Sequence, residues 1–302
     1  METIIGTQLP SFQRAIGTSN IFWWLEHYKV FDQLTETGFA EVPIDSMYLD
    51  VHAPRIYEGF GRIVTSPYRN LFQIPMQRND ELLENMENGL LQRNDDEDKW
   101  ILHYFATIEE VLRWHGAPVQ DFMECFDSTS ELDYASFRIW AAVGALFDRY
   151  APNAMGSSSS MAMRFADGKR VSRLIDYLLH ESRAEAPDAK VHTDRGGGTT
   201  HWESTHPGLV LWDKQGKSVR RDETNRGSVL LFLGRKFATI TGGKYGPGVF
   251  HGVRDTDRNT RRENRRAIIS FNHPTLTLKE VKWHNAQKKQ GYFSPNSTNH
   301  VV

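Results

Sequence analysis

A His-x-Asp pair, His192 and Asp194, is followed well downstream by a third histidine, His251. Alternate residues of a β-strand point to the same side, so the first two side chains can reach a single point. A histidine from another strand would complete one face of an octahedron. Two neutral imidazoles and one carboxylate, with the opposite face open, suit non-haem Fe(II) that handles O2. The three residues are therefore candidate metal ligands, provided that the fold brings their strands together.

Other interpretations of the three residues remain open at this point. A His-x-Asp pair also occurs by chance, and three such residues alone establish no function. A structural zinc site would need a fourth protein ligand, for which His201 and His206 are candidates. A catalytic zinc hydrolase would keep an open position but would have no use for the arginine-bearing strand downstream. A protein that binds metal or a small ligand without catalysis is a further alternative.

Spaced motifs continue from the His-x-Asp pair to Phe271. They are 192–200 (H-x-D and a T-T pair), 208–217 (a G-L hairpin), 227–234 (a strand ending in Gly), 241–245 (T-G-G-K-Y), 251–253 (H-G-V) and 265–271 (R-R-A-I-I-S-F). In this order the motifs resemble those of the Fe(II)/2-oxoglutarate-dependent oxygenases, specifically the isopenicillin N synthase-like branch. Residues 1–150 match that family only loosely.

The resemblance implies a fold and a chemistry. The expected fold is mainly β with helical decoration, built on a double-stranded β-helix, the jelly-roll or cupin-like barrel. Short β runs that alternate with Gly-rich turns up to Pro274 suit such a barrel. The implied cofactors are Fe(II) and 2-oxoglutarate. The implied reaction couples decarboxylation of oxoglutarate to hydroxylation, desaturation or cyclisation of a small organic molecule, in secondary metabolism. The alternative is an iron oxidase that uses no oxoglutarate, as isopenicillin N synthase does.

Two adjacent arginines, Arg265 and Arg266, lie where the family has its oxoglutarate-binding arginine. A guanidinium binds the distal carboxylate of the oxoacid with two parallel charge-assisted bonds. Neighbouring residues of a strand point to opposite sides, so only one of the two can face inward. Arg265 shares its side with apolar residues, and we therefore predict that it binds 2-oxoglutarate, with Arg266 as the alternative. The family branch usually has serine two residues further on, where this chain has Ala267.

A third candidate for the cofactor is Arg164, in the segment 160–165. We predict a strand here, because the corresponding strand of the family lies beside the oxoacid. Arg164 would then contact 2-oxoglutarate, or alternatively would face water from a barrel strand.

The length of 302 residues fits one large domain. We expect a single oxygenase domain over 1–302, with a helix-rich part at 1–150, a barrel core with the metal site at 155–275 and a tail at 281–302. The tail is expected to be disordered or to form a flap over the barrel mouth. The N-terminal part and the tail would then build the substrate pocket.

The charge and the cysteine content limit which partners and which cellular compartment we expect. The chain has 36 Lys and Arg against 38 Asp and Glu, a net charge of −2, so we expect no nucleic-acid or membrane partner. The single cysteine, Cys125, excludes an internal disulfide and fits a reducing compartment. No uncharged apolar run is long enough to span a bilayer. These features indicate a cytoplasmic protein that binds a small-molecule substrate and O2, and they leave the oligomeric state open.

Apolar periodicity predicts the local structure of the remaining segments. Residues 1–20 are expected to form an extended arm, and 38–42 a strand. Helices are predicted at 20–34, 80–98, 100–114, 131–150 and 171–184.

Two loops beside the candidate ligands are also distinctive. Glycines 196–198 would allow a substrate to approach the backbone closely. The link at 254–263 alternates arginines with acidic residues, which favours a self-neutralising solvated loop over a contact with an anionic substrate.

Overall fold

The structure, a computed structural model, describes residues 12–18, 20–74, 88–93, 99–154, 159–178, 189–220, 224–253 and 263–295. Within these ranges the helices are α1 (Phe12–Ile16), α2 (Asn20–His27), α3 (Val30–Glu36), α4 (Ser46–Thr65), α5 (Ile108–Trp114), α6 (Met123–Tyr150), α7 (Met161–Ala166), α8 (Arg235–Ile240) and α9 (Leu278–Lys289). The strands are β1 (Phe39–Pro43), β2 (Gln73–Ile74), β3 (Asn88–Arg93), β4 (Lys99–Tyr104), β5 (Lys169–Tyr177), β6 (Ala189–His192), β7 (Gly198–Ser204), β8 (Leu209–Trp212), β9 (Ser218–Arg220), β10 (Ser228–Leu233), β11 (Phe250–Val253) and β12 (Arg265–His273). Short 3-10 helices lie at Arg69–Phe72, Val119–Phe122 and Pro152–Ala154.

The described strands form two antiparallel sheets. The larger has the order β1-β10-β7-β12-β5-β4-β3-β2, and the smaller has the order β6-β11-β8-β9. Strands from the first 104 residues therefore hydrogen-bond into the same sheet as β5, β7, β10 and β12. Antiparallel sheets combined with helices agree with the expected class at this level.

The long helix α6 covers one face of the larger sheet and meets it through buried polar groups. The hydroxyls of Ser136 and Thr200 are 2.8 Å apart, and the indole of Trp140 donates to Thr200 at 3.0 Å. Asn272 of β12 donates to Ser136 at 2.7 Å. Trp202 similarly donates to Ser270 at 2.9 Å. The polar side of β12 therefore faces the helix, and its other side is left for the space between the sheets.

Two central strands were predicted to be helical. The segment 171–184 is strand β5 as far as Tyr177, with β4 and β12 hydrogen-bonded on either side; residues 179–188 lie outside the described residues. The segment 100–114 begins as β4, all of whose residues are buried, and turns helical at Ile108. A strand covered on both faces carries apolar residues on both, which removes the alternation that identifies strands from sequence.

The segment 160–165, predicted as a strand, forms helix α7. The Ser160 side chain caps the helix by accepting a hydrogen bond from the Met163 amide. Asp148 of α6 accepts hydrogen bonds from the amides of Met161 and Ala162 at 2.7 and 3.0 Å. A carboxylate supplied by the preceding helix thus satisfies the first amides of α7, and the local pattern did not indicate this partner.

Other predicted elements have mixed outcomes. The strand at 38–42 and the helix at 131–150 are confirmed as β1 and part of α6. The helix at 20–34 is divided into α2 and α3 by Lys29, whose φ of 52° is left-handed. In 80–98 the described part is strand β3, so the predicted helix is wrong there, and residues 80–87 and 94–98 lie outside the described residues. The predicted N-terminal arm is helical at α1, and its residues 1–11 and 19 also lie outside them.

The described part of the tail is ordered by helix α9. Thr277 and Glu280 form a capping box at its start, and Phe293 beyond its end is 4% exposed. The disordered alternative is therefore wrong for 281–295, and residues 296–302 lie outside the described residues. Among the helices that the structure describes, none is long and apolar enough to cross a membrane.

Candidate metal centre

The candidate ligands lie on neighbouring strands of the smaller sheet. His192 of β6 and His251 of β11 are direct register partners, with ring centroids 4.4 Å apart. Asp194 follows β6 by two residues. Its Oδ1 atom lies 3.7 Å from Nε2 of His192 and 3.6 Å from Nε2 of His251. The three donor atoms converge on one point, and within the described residues no fourth His, Cys, Asp or Glu side chain joins them.

Backbone carbonyl groups fix the orientation of both imidazoles. Nδ1 of His192 lies 2.7 Å from the carbonyl oxygen of Lys190, and Nδ1 of His251 lies 3.0 Å from that of Val249. A ring whose Nδ1–H donates to a carbonyl presents the Nε2 lone pair, and this is how metal-binding histidines are held. The donor set therefore fits a divalent ion with an open face.

Electrostatics keep His192 and Asp194 in the protonation states that a metal requires. Burial first, then His251 and, more weakly, Lys99 lower the pKa of His192 to about 4, although 45% of its side chain is accessible. Burial alone would raise the pKa of Asp194. The two histidines, a hydrogen bond from Thr199 and the more distant Arg173 nevertheless lower that pKa below its ordinary value. Near neutral pH the centre thus offers a neutral His192 imidazole and an ionised carboxylate.

A cavity opens over the three ligands, and its lining comes from strands of both sheets. The lining includes apolar side chains from β5, β10, β11 and β12, among them Ile175, Phe232, Val253, Ile269 and Phe271. Its polar members besides the ligands are Lys99, Arg173, Tyr177, His201 and Arg265. Of the lining residues that the structure describes, Lys99 alone precedes residue 150, and none follows Val281. The expectation that the N-terminal helices and the tail build the pocket is not met by this lining.

Arg265 points into the cavity, at the start of β12. It is fully buried, and its Nε and Nη2 atoms donate to the His206 carbonyl and the Ser204 hydroxyl at 3.0 and 2.8 Å. A bulge in β7, opposite Ile268 and Ile269, turns Ser204 to the same side of the sheet as Arg265. The bulge thereby allows the hydrogen bond between the two side chains. Arg266 points to the other side of the sheet, where its Nε lies 3.6 Å from Oδ1 of Asp176. As predicted from the strand period, Arg265 faces the cavity and Arg266 faces the opposite side of the sheet.

Arg164, the third candidate, does not line the cavity. Its side chain is 4% exposed, and Nη1 lies 2.7 Å from Oε2 of Glu280. It also donates to the carbonyl oxygen of Thr275 at 3.2 Å. Because the segment is helical, Arg164 is directed toward α9, so its position fits neither a cofactor contact nor a barrel strand that faces water.

Several cavity residues were not singled out from the sequence. Tyr177 lies beneath both cations at this end of the cavity, with Cζ of Arg265 and Nζ of Lys99 at 5.1 and 5.3 Å from its ring centroid. Arg173 stacks on Phe271, at 4.8 Å from Cζ to the ring centroid. The assignment of β4 and β5 as helices concealed these residues. Both faces of these strands are buried, so no alternation in the sequence marked the residues that face the cavity.

His201 and His206, the candidate zinc ligands, are placed apart from the converging donors. His201 lines the cavity, and its Nε2 lies 3.3 Å from the Ser204 hydroxyl. The His206 ring contacts the Thr205 hydroxyl at 3.0 Å. The geometry therefore offers no closed four-ligand site in the described part of the chain.

Packing requires glycine at positions 197 and 198. A Cβ on Gly198 would lie 2.2 Å from the Trp140 ring, and one on Gly197 would lie 2.3 Å from the ring of Pro274. Protein side chains thus occupy the space beside Gly197 and Gly198 in which a substrate was expected to approach the backbone. Of the link at 254–263, residues 254–262 lie outside the described residues.

Known proteins resemble this chain in structure and not in sequence. No protein-family model matches the sequence, and no curated protein matches it. Solved structures do match. A Shewanella oneidensis protein assigned as an oxygenase superposes with a TM-score of 0.63 at 17% identity, covering 87% of this chain and 94% of that one. Two oxygenases solved with 2-oxoglutarate match as well. The chain has the fold of the 2-oxoglutarate/Fe(II) oxygenases. The resemblance indicated by the motifs is thus confirmed at the level of the fold.

Two further oxygenases share this fold. The dioxygenase for auxin oxidation 1 of Arabidopsis thaliana, solved with 2-oxoglutarate, has a TM-score of 0.62 at 15% identity, covering 82% of this chain and 87% of that one. JOX2, solved with 2-oxoglutarate, iron and JA, has a TM-score of 0.58 at 14% identity, covering 92% of this chain and 84% of that one.

Proposed function

We propose that the chain is an Fe(II)- and 2-oxoglutarate-dependent oxygenase of a small organic molecule, with O2 as co-substrate. The observation that carries the proposal is a converging His192, Asp194 and His251 in the same cavity as a buried arginine. The ligand set with an open face suits iron that handles O2, and the arginine supplies a charge for an oxoacid. Neighbours of the same fold that were solved with 2-oxoglutarate and iron support the cofactor assignment.

In this proposal each residue has a defined task. His192, Asp194 and His251 hold the metal through Nε2, Oδ1 and Nε2. Arg265 orients the oxoacid by binding its distal carboxylate. When bound, iron would supply O2 activation: O2 is the oxidant, oxoglutarate is oxidatively decarboxylated to succinate and CO2, and a C–H bond of the substrate is oxidised. The apolar lining from the strands excludes water from the reacting groups.

The proposal includes the finer architecture. The two sheets enclose the cavity as the faces of a double-stranded β-helix, with 155–275 as the barrel core of a single 1–302 domain that has a helix-rich part at 1–150 and a tail at 281–302. Strands β1, β2, β3 and β4 are all part of the larger sheet, which supports one domain rather than two. A role in secondary metabolism, and the choice among hydroxylation, desaturation and cyclisation, belong to the same proposal.

Succinate formation from 2-oxoglutarate tests the function without knowledge of the substrate. We expect slow turnover that requires Fe(II), O2 and oxoglutarate and that is absent in Asp194→Ala. The matched control is Asp167→Ala, a carboxylate outside the cavity, which should retain turnover. Iron binding without any oxoglutarate binding would favour the oxoglutarate-independent oxidase. Binding of both without succinate under any condition would favour a non-catalytic barrel.

A further inference from the structure

Three residues lie in one row across the larger sheet at the cavity end that holds Arg265. Lys99 of β4 is the register partner of Tyr177 of β5, and Tyr177 is the register partner of Arg265 of β12. Neighbouring strands are about 4.8 Å apart, so the outer two Cα atoms are about 10 Å apart. Side chains of this length, on the same side of the sheet, can reach one group between them.

The two cations share contact with the tyrosine between them. Nζ of Lys99 and Cζ of Arg265 lie 5.3 and 5.1 Å from the centroid of the Tyr177 ring, within the range of cation–π contact. Lys99 is 6% exposed and Arg265 is fully buried. Both side chains line the cavity of the proposed metal centre. Two buried positive charges are therefore directed at the same end of this cavity.

The hydroxyl nearest to Arg265 is already engaged. Ser204 accepts from Nη2 of Arg265 at 2.8 Å, and its own proton can reach Nε2 of His201 at 3.3 Å. Ala267, two residues beyond Arg265, offers only a methyl group. Besides Arg265, the cations of the described lining are Lys99 and Arg173. Arg173 donates from Nε to His103 at 2.9 Å and stacks on Phe271, whereas Lys99 lies in the same row as Arg265. Lys99 is therefore the better placed second charged donor for an anion beside Arg265.

We propose that Lys99 is a second anchor for the distal carboxylate of the oxoacid, acting together with Arg265. The inference rests on the proposed function, because it assumes that the oxoacid extends from the metal toward β12. A carboxylate has about four acceptor sites on its two oxygens, enough for a guanidinium pair and an ammonium. Lys99 therefore selects oxoacids that carry a second carboxylate.

The test is a pair of binding measurements on protein loaded with Zn(II), which prevents turnover. Calorimetry gives the Kd of 2-oxoglutarate and that of 2-oxopentanoate, which lacks the distal carboxylate. In Lys99→Met we expect the Kd of 2-oxoglutarate to rise roughly ten- to a hundred-fold, as for loss of a charged hydrogen bond. The Kd of 2-oxopentanoate should change by less than about threefold, within context effects. Lys99→Arg should restore most of the preference.

Lys169→Met is the matched control, since Lys169 lies exposed at the start of β5 and outside the cavity lining. If Lys99→Met unfolds, the two Kd values are measured instead in Lys99→Gln and in Arg265→Gln. In each variant the ratio of the Kd of 2-oxopentanoate to that of 2-oxoglutarate gives the remaining preference for the dicarboxylate. Arg265→Gln should keep part of the preference for the dicarboxylate, and the Lys99→Gln, Arg265→Gln double variant should lose it. Equal effects of the Lys99 substitution on both oxoacids, or no effect on either, would overturn the inference. Absence of oxoglutarate binding to the wild-type protein would instead overturn the proposed function.

Discussion

The Thr199 hydroxyl donates a 2.6 Å hydrogen bond to Oδ2 of Asp194 and so leaves Oδ1 facing both histidines. Both residues are buried, and Thr199 is the first threonine after the glycine-rich turn. Because this bond orients the carboxylate, we expect Thr199→Val to weaken Zn(II) or Fe(II) binding about 10- to 100-fold. Thr199→Ser keeps the hydroxyl and should bind metal nearly as the wild type does. Metal titration by calorimetry measures both.

Metal binding should also stabilise the fold. A ligand that binds only the folded chain adds about 2.7 kcal/mol to the free energy of unfolding at a hundredfold excess over its Kd. Thermal unfolding with Zn(II) and with chelator should therefore differ by several degrees in the wild type. The difference should vanish in His251→Ala, which removes a ligand. A persisting shift in that variant would place the metal elsewhere.

Strand parity separates the two adjacent arginines. Arg265→Gln should raise the Kd of 2-oxoglutarate at least roughly 30-fold, since losing one partner of a buried charge pair costs about 2–5 kcal/mol. Arg266→Gln should leave that Kd nearly unchanged, because its side chain lies near Asp176 on the other side of the sheet. The reverse order of the two variants would mean that the oxoacid binds on the α6 side of β12.

The buried pair of Arg164 and Glu280 is expected to affect stability and not the cofactor. Their side chains are 4% and 11% exposed, and the ion pair connects α7 to α9. Arg164→Met should lower the free energy of unfolding by about 3–5 kcal/mol, because it leaves a buried carboxylate without its cation. Arg164→Met with Glu280→Gln, which removes the charge but keeps an oxygen for the Thr277 amide, should recover much of that loss. Urea unfolding measures stability, and an unchanged 2-oxoglutarate Kd in the folded variants would exclude a cofactor role.

His201 should make the metal-free protein sensitive to acid. It is 3% exposed, and burial followed by the charge of Arg265 lowers its pKa from 6.5 to about 3. Between these values the unfolded chain holds a proton that the folded chain does not. Stability should therefore fall as the pH drops below about 6.5, by up to about 1.4 kcal/mol per pH unit. His201→Gln should flatten this slope in urea unfolding between pH 7 and pH 5, and an unchanged slope would assign the acid sensitivity to other groups.

The short-range features of the candidate site could be read from the chain. Residues 192 and 194 share a side wherever the chain is extended, and the parity of 265 and 266 depends only on the period of the strand. Spaced motifs therefore identified both the converging ligands and the inward arginine. The 131–150 part of helix α6 was predicted correctly because its apolar stripe is long and regular.

What depends on neighbouring elements could not be read in the same way. Strands β4 and β5 are buried on both faces, so their apolar pattern has no alternation to separate it from that of a helix. The start of α7 is capped by Asp148, twelve residues before Ser160, and a local window cannot foresee that contact. Lys99 and Tyr177 lie on these two strands, so the helical assignment hid the fact that both side chains line the cavity.

The sequence by itself determined which residues could bind a metal, which arginine points inward and which oxygenase fold the motifs resemble. These properties follow from residue type and from the period of a strand, both of which are local. The tertiary structure alone decided that Arg164 pairs with Glu280, that glycines 197 and 198 make room for Pro274 and Trp140, and that Lys99 lies beside Tyr177. Each of these contacts joins residues far apart in the chain, and its energy depends on packing that no single segment encodes.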